Sequence, residues 1–190
     1  MEEKVDLRIQ KTYLALSNAF VALMEEKRFD ELTVNELCDR AMIRRTTFYK
    51  HFADKYEYFA FYIREVVSTF RDQLVPDVTS GDAKAYILLM SRELLQFLHI
   101  HERMVRNIKN SSMFPVLLSI LLDQITDDLV LILRRACPGL AQNTEKLKGK
   151  AAFYAGGLLS AYFRLMQQEP PVDEALFLEL IEEFTSEMII

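Results

Sequence analysis

Apolar residues recur at spacings of three and four along most of the chain, which is the repeat of an amphipathic α-helix. The first stripe consists of Ile9, Tyr13, Leu16, Phe20 and Leu23. Its helix should end near Lys27 or Arg28. The nearly continuous helical repeat predicts an all-α protein with about nine helices.

A helix start with a recognisable mechanism follows at Thr33. Thr33 can cap this helix, and Glu36, three residues later, can reach back to complete a capping box. The helical pattern then stops at Ala41-Met42-Ile43, and a second pattern begins. We therefore expect two short helices joined by a tight turn.

The second pattern, roughly Arg44 to Phe52, is rich in arginine, threonine, tyrosine, lysine and histidine. Phe48 and Phe52 lie one turn apart and should be buried together, which leaves Arg45 and Lys50 on other faces. In a helix-turn-helix motif the second helix enters the major groove of DNA and presents its first turns to base edges. The two patterns therefore predict a helix-turn-helix.

The residues of this motif resemble the TetR family of bacterial transcriptional regulators. The typical stretch in that family is an alanine, glycine and valine turn, then a polar helix that ends in Phe or Leu, Tyr, any residue, His and Phe, and then a lysine. This chain matches it with Ala41-Met42-Ile43, Thr47-Phe48-Tyr49-Lys50-His51-Phe52 and Asp54-Lys55. The resemblance covers approximately residues 7 to 65. Met42 replaces the usual glycine, and a side chain in a left-handed helix cap costs about 1 kcal/mol, so either the turn tolerates it or the angle between the helices differs.

The resemblance implies a TetR-like fold with two domains. A three-helix DNA-binding domain would occupy residues 1–53, and a helical bundle for ligand binding and dimerisation would occupy residues 54–190. Base contacts would come from Arg44, Arg45, Thr46 and Thr47, phosphate contacts from Thr33, Asn35, Tyr49, His51 and Lys55, and either kind from Lys50. Two such motifs in a homodimer would read two half-sites, so the operator in double-stranded DNA should be approximately palindromic.

The net charge of −5 is unusual for a protein that binds nucleic acid, so the distribution of charge matters more than its sum. Between Arg40 and Lys55 there are five cations and one anion, Asp54, which gives a local charge of +4. A basic patch on an acidic body can position a protein on DNA while the acidic remainder limits unspecific binding. A solvated charged face is the alternative explanation.

Later helices follow from the same repeat and from capping residues. Asp54 and Glu57 repeat the capping arrangement at the head of a fourth helix, which should continue to Leu74. Residues 75–81 break the pattern with proline and glycine. Further helices are expected from about Asp82 to His99 and from Arg103 to Lys109. A longer helix should follow Ser111-Ser112 and stop at Cys137-Pro138-Gly139.

The last two helices resemble the C-terminal helices of short TetR-family members, where two helices from each subunit form a four-helix dimer interface. Small residues recur there at Ala152, Gly156 and Ser160, with Gly157 and Ala161 in a parallel row. After Pro170-Pro171, Asp173 should cap the closing helix, which should bury Leu176, Leu180, Ile181, Phe184 and Met188. The candidate dimer residues are Ala152, Gly156, Gly157, Ser160, Phe177, Leu180 and Phe184. Packing of the small-residue face within one subunit is the alternative.

The resemblance also implies a small-molecule pocket among the middle helices. Residues that could line it are Tyr86, Met90, Phe97, His99, Phe114, Gln124 and Tyr154. Ordinary core packing is the alternative for such residues. Some short members of the family act with a partner protein, so two functions stay open: a dimeric repressor released by an effector, and a co-regulator that works mainly through a partner protein.

No catalytic or metal-binding constellation emerges, so we expect neither an enzyme nor a cofactor. His99 and His101 are two residues apart and point to different helix faces, and Asp123 and Asp127 fit a solvated acidic edge. Two cysteines do not form a disulfide framework, and no apolar run reaches the roughly 20 residues of a membrane span. A cytoplasmic protein is the expectation.

Overall fold

The structure is a computed structural model of the 190-residue chain, and it describes residues 7–74, 83–136, 139, 142–165 and 173–188. Over these residues every regular element is helical, so the predicted all-α class is confirmed. The α-helices are α1 (Leu7–Glu26), α2 (Val34–Arg40), α3 (Arg45–Phe48), α4 (Lys55–Leu74), α5 (Ala83–Ile100), α6 (Glu102–Lys109), α7 (Phe114–Ala136), α8 (Thr144–Leu165) and α9 (Glu174–Met188). A 3-10 turn at Phe29–Glu31 separates α1 from α2.

The chain forms two compact units. The first comprises residues 1–64 and 100–117, and the second comprises residues 65–99 and 118–190. Helix α4 therefore contributes its first half to one unit and its second half to the other. These units are defined by packing, and the functional division at residues 53 and 54 stays a prediction.

Aromatic side chains fill the core of the first unit. Leu16, Phe20 and Leu23 are buried, as their spacing predicts. The Phe20 ring packs against the rings of Phe29, Tyr58, Phe59 and Tyr62, with centroid distances between 4.8 and 6.4 Å. Edge-to-face and tilted ring pairs of this kind add about 0.5–1.5 kcal/mol each beyond the area they bury. This aromatic cluster packs α1, the 3-10 turn and α4 against one another.

Helix α6 belongs to the same core, which the spacing of residues did not predict. Its Met104, Val105 and Ile108 are buried. The Asn107 side-chain amide donates a 2.7 Å hydrogen bond to the carbonyl of Met24, one of the groups that the end of α1 leaves unpaired. Residues 100–117 are thus joined to the first unit by polar as well as apolar contacts.

The α6–α7 turn adds a second polar connection. The amide and the hydroxyl of Ser112 donate hydrogen bonds of 3.1 and 2.6 Å to the carboxylate of Asp30 in the 3-10 turn. These bonds hold the pKa of Asp30 below its ordinary value. The contact therefore ties the start of α7 to the turn that precedes the predicted DNA-reading helices.

The second unit has its own apolar core, built from α5, α7, α8 and α9. Fully buried members include Ile87, Leu129, Leu133, Leu147 and Ala151. The predicted cap of the closing helix is confirmed, because the Asp173 carboxylate accepts a 3.0 Å hydrogen bond from the amide of Ala175.

The orientation of α9 differs from the prediction. Phe177, Ile181 and Thr185, at spacings of four, are buried in the core. Leu176, Leu180 and Phe184, which were expected to be buried, are each about half exposed on the neighbouring face. Successive residues of an α-helix are about 100° apart, so α9 has two neighbouring apolar rows. The sequence predicts that one of these rows is buried, but it does not indicate which one. The side chain of Met188 and the segments at residues 75–82 and 137–138 lie outside the described residues.

Candidate nucleic-acid interface

The start of α2 is a complete capping box, as predicted. The Thr33 hydroxyl oxygen accepts a hydrogen bond from the Glu36 amide at 3.2 Å, and the Glu36 carboxylate accepts one from the Thr33 amide at 2.9 Å. The same carboxylate accepts from the Lys27 ammonium at 2.5 Å and from the Thr33 hydroxyl at 2.8 Å. These donors, among which Lys27 has the largest effect, lower the pKa of Glu36 to about 2.

The turn between α2 and α3 is a Schellman motif built around Met42. The Ile43 amide donates to the Cys38 carbonyl at 3.0 Å, and the Met42 amide donates to the Asp39 carbonyl at 3.2 Å. Met42 has φ of 56°, and its side chain is 94% exposed. The turn therefore tolerates a residue other than glycine at a cost of about 1 kcal/mol, since that side chain meets no neighbour that would worsen the strain.

Helix α3 is shorter than the pattern from Arg44 to Phe52 predicts. Regular α-helix covers only Arg45–Phe48, and the chain then continues as a tight turn. In that turn the amides of His51 and Phe52 both donate to the Phe48 carbonyl, at 2.9 and 3.0 Å. Phe48 and Phe52 are buried, as expected, so both ends of this segment are anchored in the core.

The outer side of this segment is polar and cationic. Arg44, Arg45, Thr46, Tyr49 and Lys50 are exposed, and we call these five residues the polar face of α3. Thr47 is half-buried beside them. Within the described part of the chain, Arg44, Arg45 and Lys50 form no ion pair. Their charges are therefore directed to solvent, which is the condition for contacting a polyanion.

Other cations of the predicted patch are already engaged. The Arg40 guanidinium makes two 2.9 Å hydrogen bonds to the carboxylate of Glu26, and this fork-to-fork pair lowers the pKa of Glu26. Arg40 thus does not add its full charge to the patch. Of the five cations counted in the sequence, three lie on the polar face of α3: Arg44, Arg45 and Lys50.

Lys55 has a different role from the one its position implied. Its ammonium donates to the carbonyls of Phe29, Asp30 and Leu32 at 3.1, 3.1 and 2.7 Å, and lies 4.9 Å from the centre of the Phe29 ring. An ammonium has three donors, and all three are used. In this arrangement Lys55 holds the 3-10 turn, and the phosphate contact expected of it stays a prediction.

Thr33 is also engaged, because its amide and its hydroxyl both donate to Glu36, and its phosphate contact stays a prediction. Neither group has a donor left for a phosphate in this arrangement. Asn35, on the next turn, is exposed, and its phosphate contact stays a prediction.

Comparison with known proteins agrees with this geometry. A family model described as bacterial regulatory proteins, tetR family, matches residues 18–60. The chain is also 37% identical over 57 residues to an uncharacterized HTH-type transcriptional regulator, YxbF, of Bacillus subtilis (strain 168). That match covers 30% of this chain and 15% of the relative's length. The N-terminal region of this chain is therefore similar to the tetR family of bacterial regulatory proteins. The resemblance seen in the motif residues is thereby confirmed.

In the helix-turn-helix, the His51 ring contacts Tyr13 of α1. Its Nδ1 lies 3.4 Å from the Tyr13 hydroxyl, and the two rings meet edge to face with centroids 5.4 Å apart. The ring is only half-buried. The phosphate contact expected of His51 stays a prediction, with Tyr13 as the group that orients the ring.

The second unit contains a cavity of about 60 Å³. Tyr86 and Met90 line it, as expected. The Phe97 ring instead packs against the Phe70 ring, with centroids 5.5 Å apart. The Gln124 side-chain amide donates a 3.4 Å hydrogen bond to the Asp128 carboxylate. His99 is exposed, Phe114 belongs to the first unit, and Tyr154 packs near Phe153 and Phe184. Five of the seven predicted residues therefore do not line this cavity: Phe97, His99, Phe114, Gln124 and Tyr154. A ligand-binding role for the cavity stays a prediction.

Asp128 is a buried carboxylate at the cavity, and the sequence analysis did not single it out. It is buried beside the cavity, and its carboxylate accepts a 3.0 Å hydrogen bond from the Tyr86 hydroxyl. Burial raises the pKa of Asp128. The sequence does indicate a buried position here, because Asp128 lies three residues after Ile125 and four before Ile132 on an otherwise apolar helix face.

The small-residue row of α8 faces outward. Ala152, Gly157 and Ser160 are exposed, Gly156 is half-buried, and a Cβ added to either glycine would meet nothing within 4 Å. Beside this row lie exposed apolar side chains: Phe153 at 72%, Leu176 and Leu180 at 49%, and Phe184 at 50%. We call these residues the α8–α9 surface. Phe177, a predicted dimer residue, is 2% exposed and packs on Tyr162 instead.

The described helices include none that is both long and apolar enough to cross a bilayer. Among the same residues, no group of three or more histidine, cysteine, aspartate or glutamate side chains is arranged to hold a metal ion.

Proposed function

We propose that this chain is a sequence-specific DNA-binding transcriptional regulator, acting as a repressor at an approximately palindromic operator. The observation that carries the proposal is the polar face of α3, where three cations without an ion pair among the described residues project from a segment anchored by two buried phenylalanines. Such a segment can enter the major groove, where arginine recognises guanine through two hydrogen bonds. Arg44, Arg45, Thr46 and Thr47 are the proposed base-reading residues.

We propose backbone contacts for residues beside that reading edge. Asn35 and Tyr49 are exposed, and His51 is oriented by Tyr13. Lys50 is exposed and unpaired, and it serves as a base or a phosphate contact. Phosphate contacts fix the register of the protein on the duplex and carry no sequence information by themselves.

A homodimer is the proposed assembly. One short helix offers few base contacts, whereas two motifs related by a twofold axis read half-sites about 34 Å apart. The α8–α9 surface supports the proposal because it exposes Phe153 and Phe184 next to glycines that permit close helix approach. A second copy of the same surface would cover these apolar groups.

We further propose that a small molecule bound in the cavity of the second unit modulates DNA binding. The C-terminal half of α4 supplies Val67 and Phe70 to the cavity wall. The N-terminal half of the same helix supplies Tyr58 and Phe59 to the core on which α3 depends. An occupant of the cavity would therefore contact a helix that also supports the DNA-reading unit.

Fluorescence anisotropy with labelled duplexes tests the DNA-binding proposal. The purified chain is titrated with its own upstream region and with unrelated DNA of equal length at the same salt concentration. We expect at least a hundredfold tighter binding to the upstream region, since specific and non-specific affinities typically differ by 10³ or more. Equal affinity for both duplexes would remove sequence-specific regulation and leave the co-regulator that acts through a partner protein.

A matched pair of variants locates the specificity. Arg45→Ala should cost about 1–3 kcal/mol on the upstream duplex and leave binding to unrelated DNA nearly unchanged, because a bidentate guanine contact is lost. Arg40→Ala is the control, since that guanidinium is paired with Glu26 away from the reading edge. The assignment of Arg45 fails if both variants weaken both duplexes alike.

A further inference from the structure

The wall of the cavity in the second unit is mainly apolar, although Arg71, Glu93 and Asp128 also belong to its lining. Phe70, Met90, Leu94, Ile125 and the ring of Tyr162 face it from four different helices. The Tyr162 hydroxyl has no hydrogen-bond partner among the described groups, but its oxygen is itself buried. The surface that an occupant would meet is therefore apolar.

The charged residues near the cavity do not change this character. Asp128 is 6% exposed, and its two oxygens accept from neutral donors, the Tyr86 hydroxyl at 3.0 Å and the Gln124 amide at 3.4 Å. A cationic ligand would have to displace these donors to reach the carboxylate. Arg71 and Glu93 carry opposite charges and are only half-buried at the edge of the cavity.

We infer that the cavity binds an uncharged, mainly apolar small molecule. This inference rests on the effector role proposed above and names the chemical class of the effector. Moving an ion from water into a carbon-lined space without a partner is strongly unfavourable, whereas an apolar group gains free energy by the same transfer. The 60 Å³ volume is smaller than the roughly 150 Å³ of an apolar cavity that accepts benzene, so the occupant is a short chain or small ring, unless Met90 moves aside.

Three probes with the same four-carbon chain test the charge class: butan-1-ol, butylammonium and butyrate. The full chain is labelled with carbon-13 at the methionine methyl groups, and each probe is titrated by NMR. Met90 lines the cavity, and Met24 and Met104 of the first unit act as internal references. A Met90→Leu variant assigns the signal.

We expect butan-1-ol to shift the Met90 signal saturably, with the reference signals unmoved. Butylammonium and butyrate should bind at least tenfold more weakly. Equal or tighter binding of butylammonium would overturn the inference in favour of a cationic ligand recognised by Asp128. Equal or tighter binding of butyrate would overturn it in favour of an anionic ligand, and no Met90 response to any probe would overturn the site itself.

Two variants of α5 serve as a matched pair. Leu94 and Leu95 are both half-buried against the same core, but only Leu94 lines the cavity. Leu94→Phe should weaken butan-1-ol binding at least tenfold, and Leu95→Phe should leave it within twofold of the unchanged chain. An equal effect of both substitutions contradicts the site. The three-probe series decides the charge class with the unchanged chain, even if a larger side chain prevents folding.

DNA binding is measured separately so that the two proposals fail independently. A Met90 response without any change in operator affinity keeps the ligand class and removes the effector role. Intact operator binding with no Met90 response overturns the cavity inference and leaves the DNA-binding proposal standing.

Discussion

Met42 holds the helix-turn-helix turn in a left-handed conformation, with φ of 56° and an almost fully exposed side chain. Glycine adopts this conformation without strain. We expect Met42→Gly to be more stable than Met42→Ala by about 1 kcal/mol, because alanine keeps the strained Cβ. Urea unfolding of both variants measures the difference, and equal midpoints would show that the turn is not strained.

Lys50 and Lys55 lie five residues apart and have opposite environments. Lys50 is exposed and unpaired, whereas the Lys55 ammonium is bound by three carbonyls. Lys50→Ala should reduce the slope of log affinity against log salt by roughly one unit if it contacts a phosphate. Lys55→Ala should leave that slope unchanged and lower the free energy of unfolding by about 2 kcal/mol, since a charged hydrogen-bond donor is lost.

Salt titrations with the upstream duplex and urea unfolding of both variants check this pair. A reduced slope in Lys55→Ala would restore its phosphate contact. An unchanged slope in Lys50→Ala would place that lysine among the base contacts or outside the interface.

At the scale of the elements, helix starts were predictable because they depend on neighbouring residues. Thr33 with Glu36, and Asp173 with the amide two residues on, form caps that the spacing alone indicates. The extent of α3 was not predictable, since its shortening to Arg45–Phe48 depends on how Phe52 is seated in the core. The rotation of α9 was missed for the same reason: two adjacent apolar rows compete, and packing with α8 decides between them.

The capping box of α2 should make stability depend on pH. The pKa of Glu36 is about 2, below its ordinary value of 4.5, so its contribution is fully present above pH 4.5 and is lost as pH falls towards 2. The difference in free energy of unfolding between the unchanged chain and Glu36→Gln should therefore shrink across that window. Urea unfolding at several pH values measures it.

Thr33→Ser is the matched control for this prediction. It keeps the capping oxygen and both of the donors to Glu36, so its pH profile should follow that of the unchanged chain. A constant difference between the unchanged chain and Glu36→Gln from pH 7 to pH 2 would show that the carboxylate is not held by these contacts.

At the scale of the whole molecule, local patterns identified the helices but not their partners. Nothing in the spacing of α6 indicates that Asn107 reaches the carbonyl of Met24, or that Ser112 reaches Asp30, because these pairs are more than 80 residues apart. The cavity was predicted only in part for the same reason. Tyr86 and Met90 were predicted from their residue types, whereas the position of a side chain in the cavity wall depends on long-range packing.

The proposed homodimer should link stability to protein concentration. If the α8–α9 surface is buried between two subunits, the unfolding temperature should rise with concentration, and sedimentation should give twice the 22.2 kDa subunit mass. Phe153→Glu should abolish both effects by placing a charge in the interface. Leu131→Glu replaces an apolar residue that is also exposed, at 56%, but lies on α7, and it should preserve the dimer.

A single-subunit mass for the unchanged chain at micromolar concentration would contradict the assembly. A monomer produced by Leu131→Glu and a dimer retained by Phe153→Glu would keep the assembly and move the interface to another face.

The Asn107 and Ser112 contacts also govern how a DNA-reading module can be exchanged between regulators. A chimera that takes only residues 1–64 from this chain would lack α6, which packs against α1. The Met24 carbonyl would then lose the Asn107 donor, and the Asp30 carboxylate would lose the Ser112 donor. A working chimera must therefore take residues 100–117 from the same parent as residues 1–64. The first unit is discontinuous in sequence, so a simple N-terminal exchange would transfer only part of it.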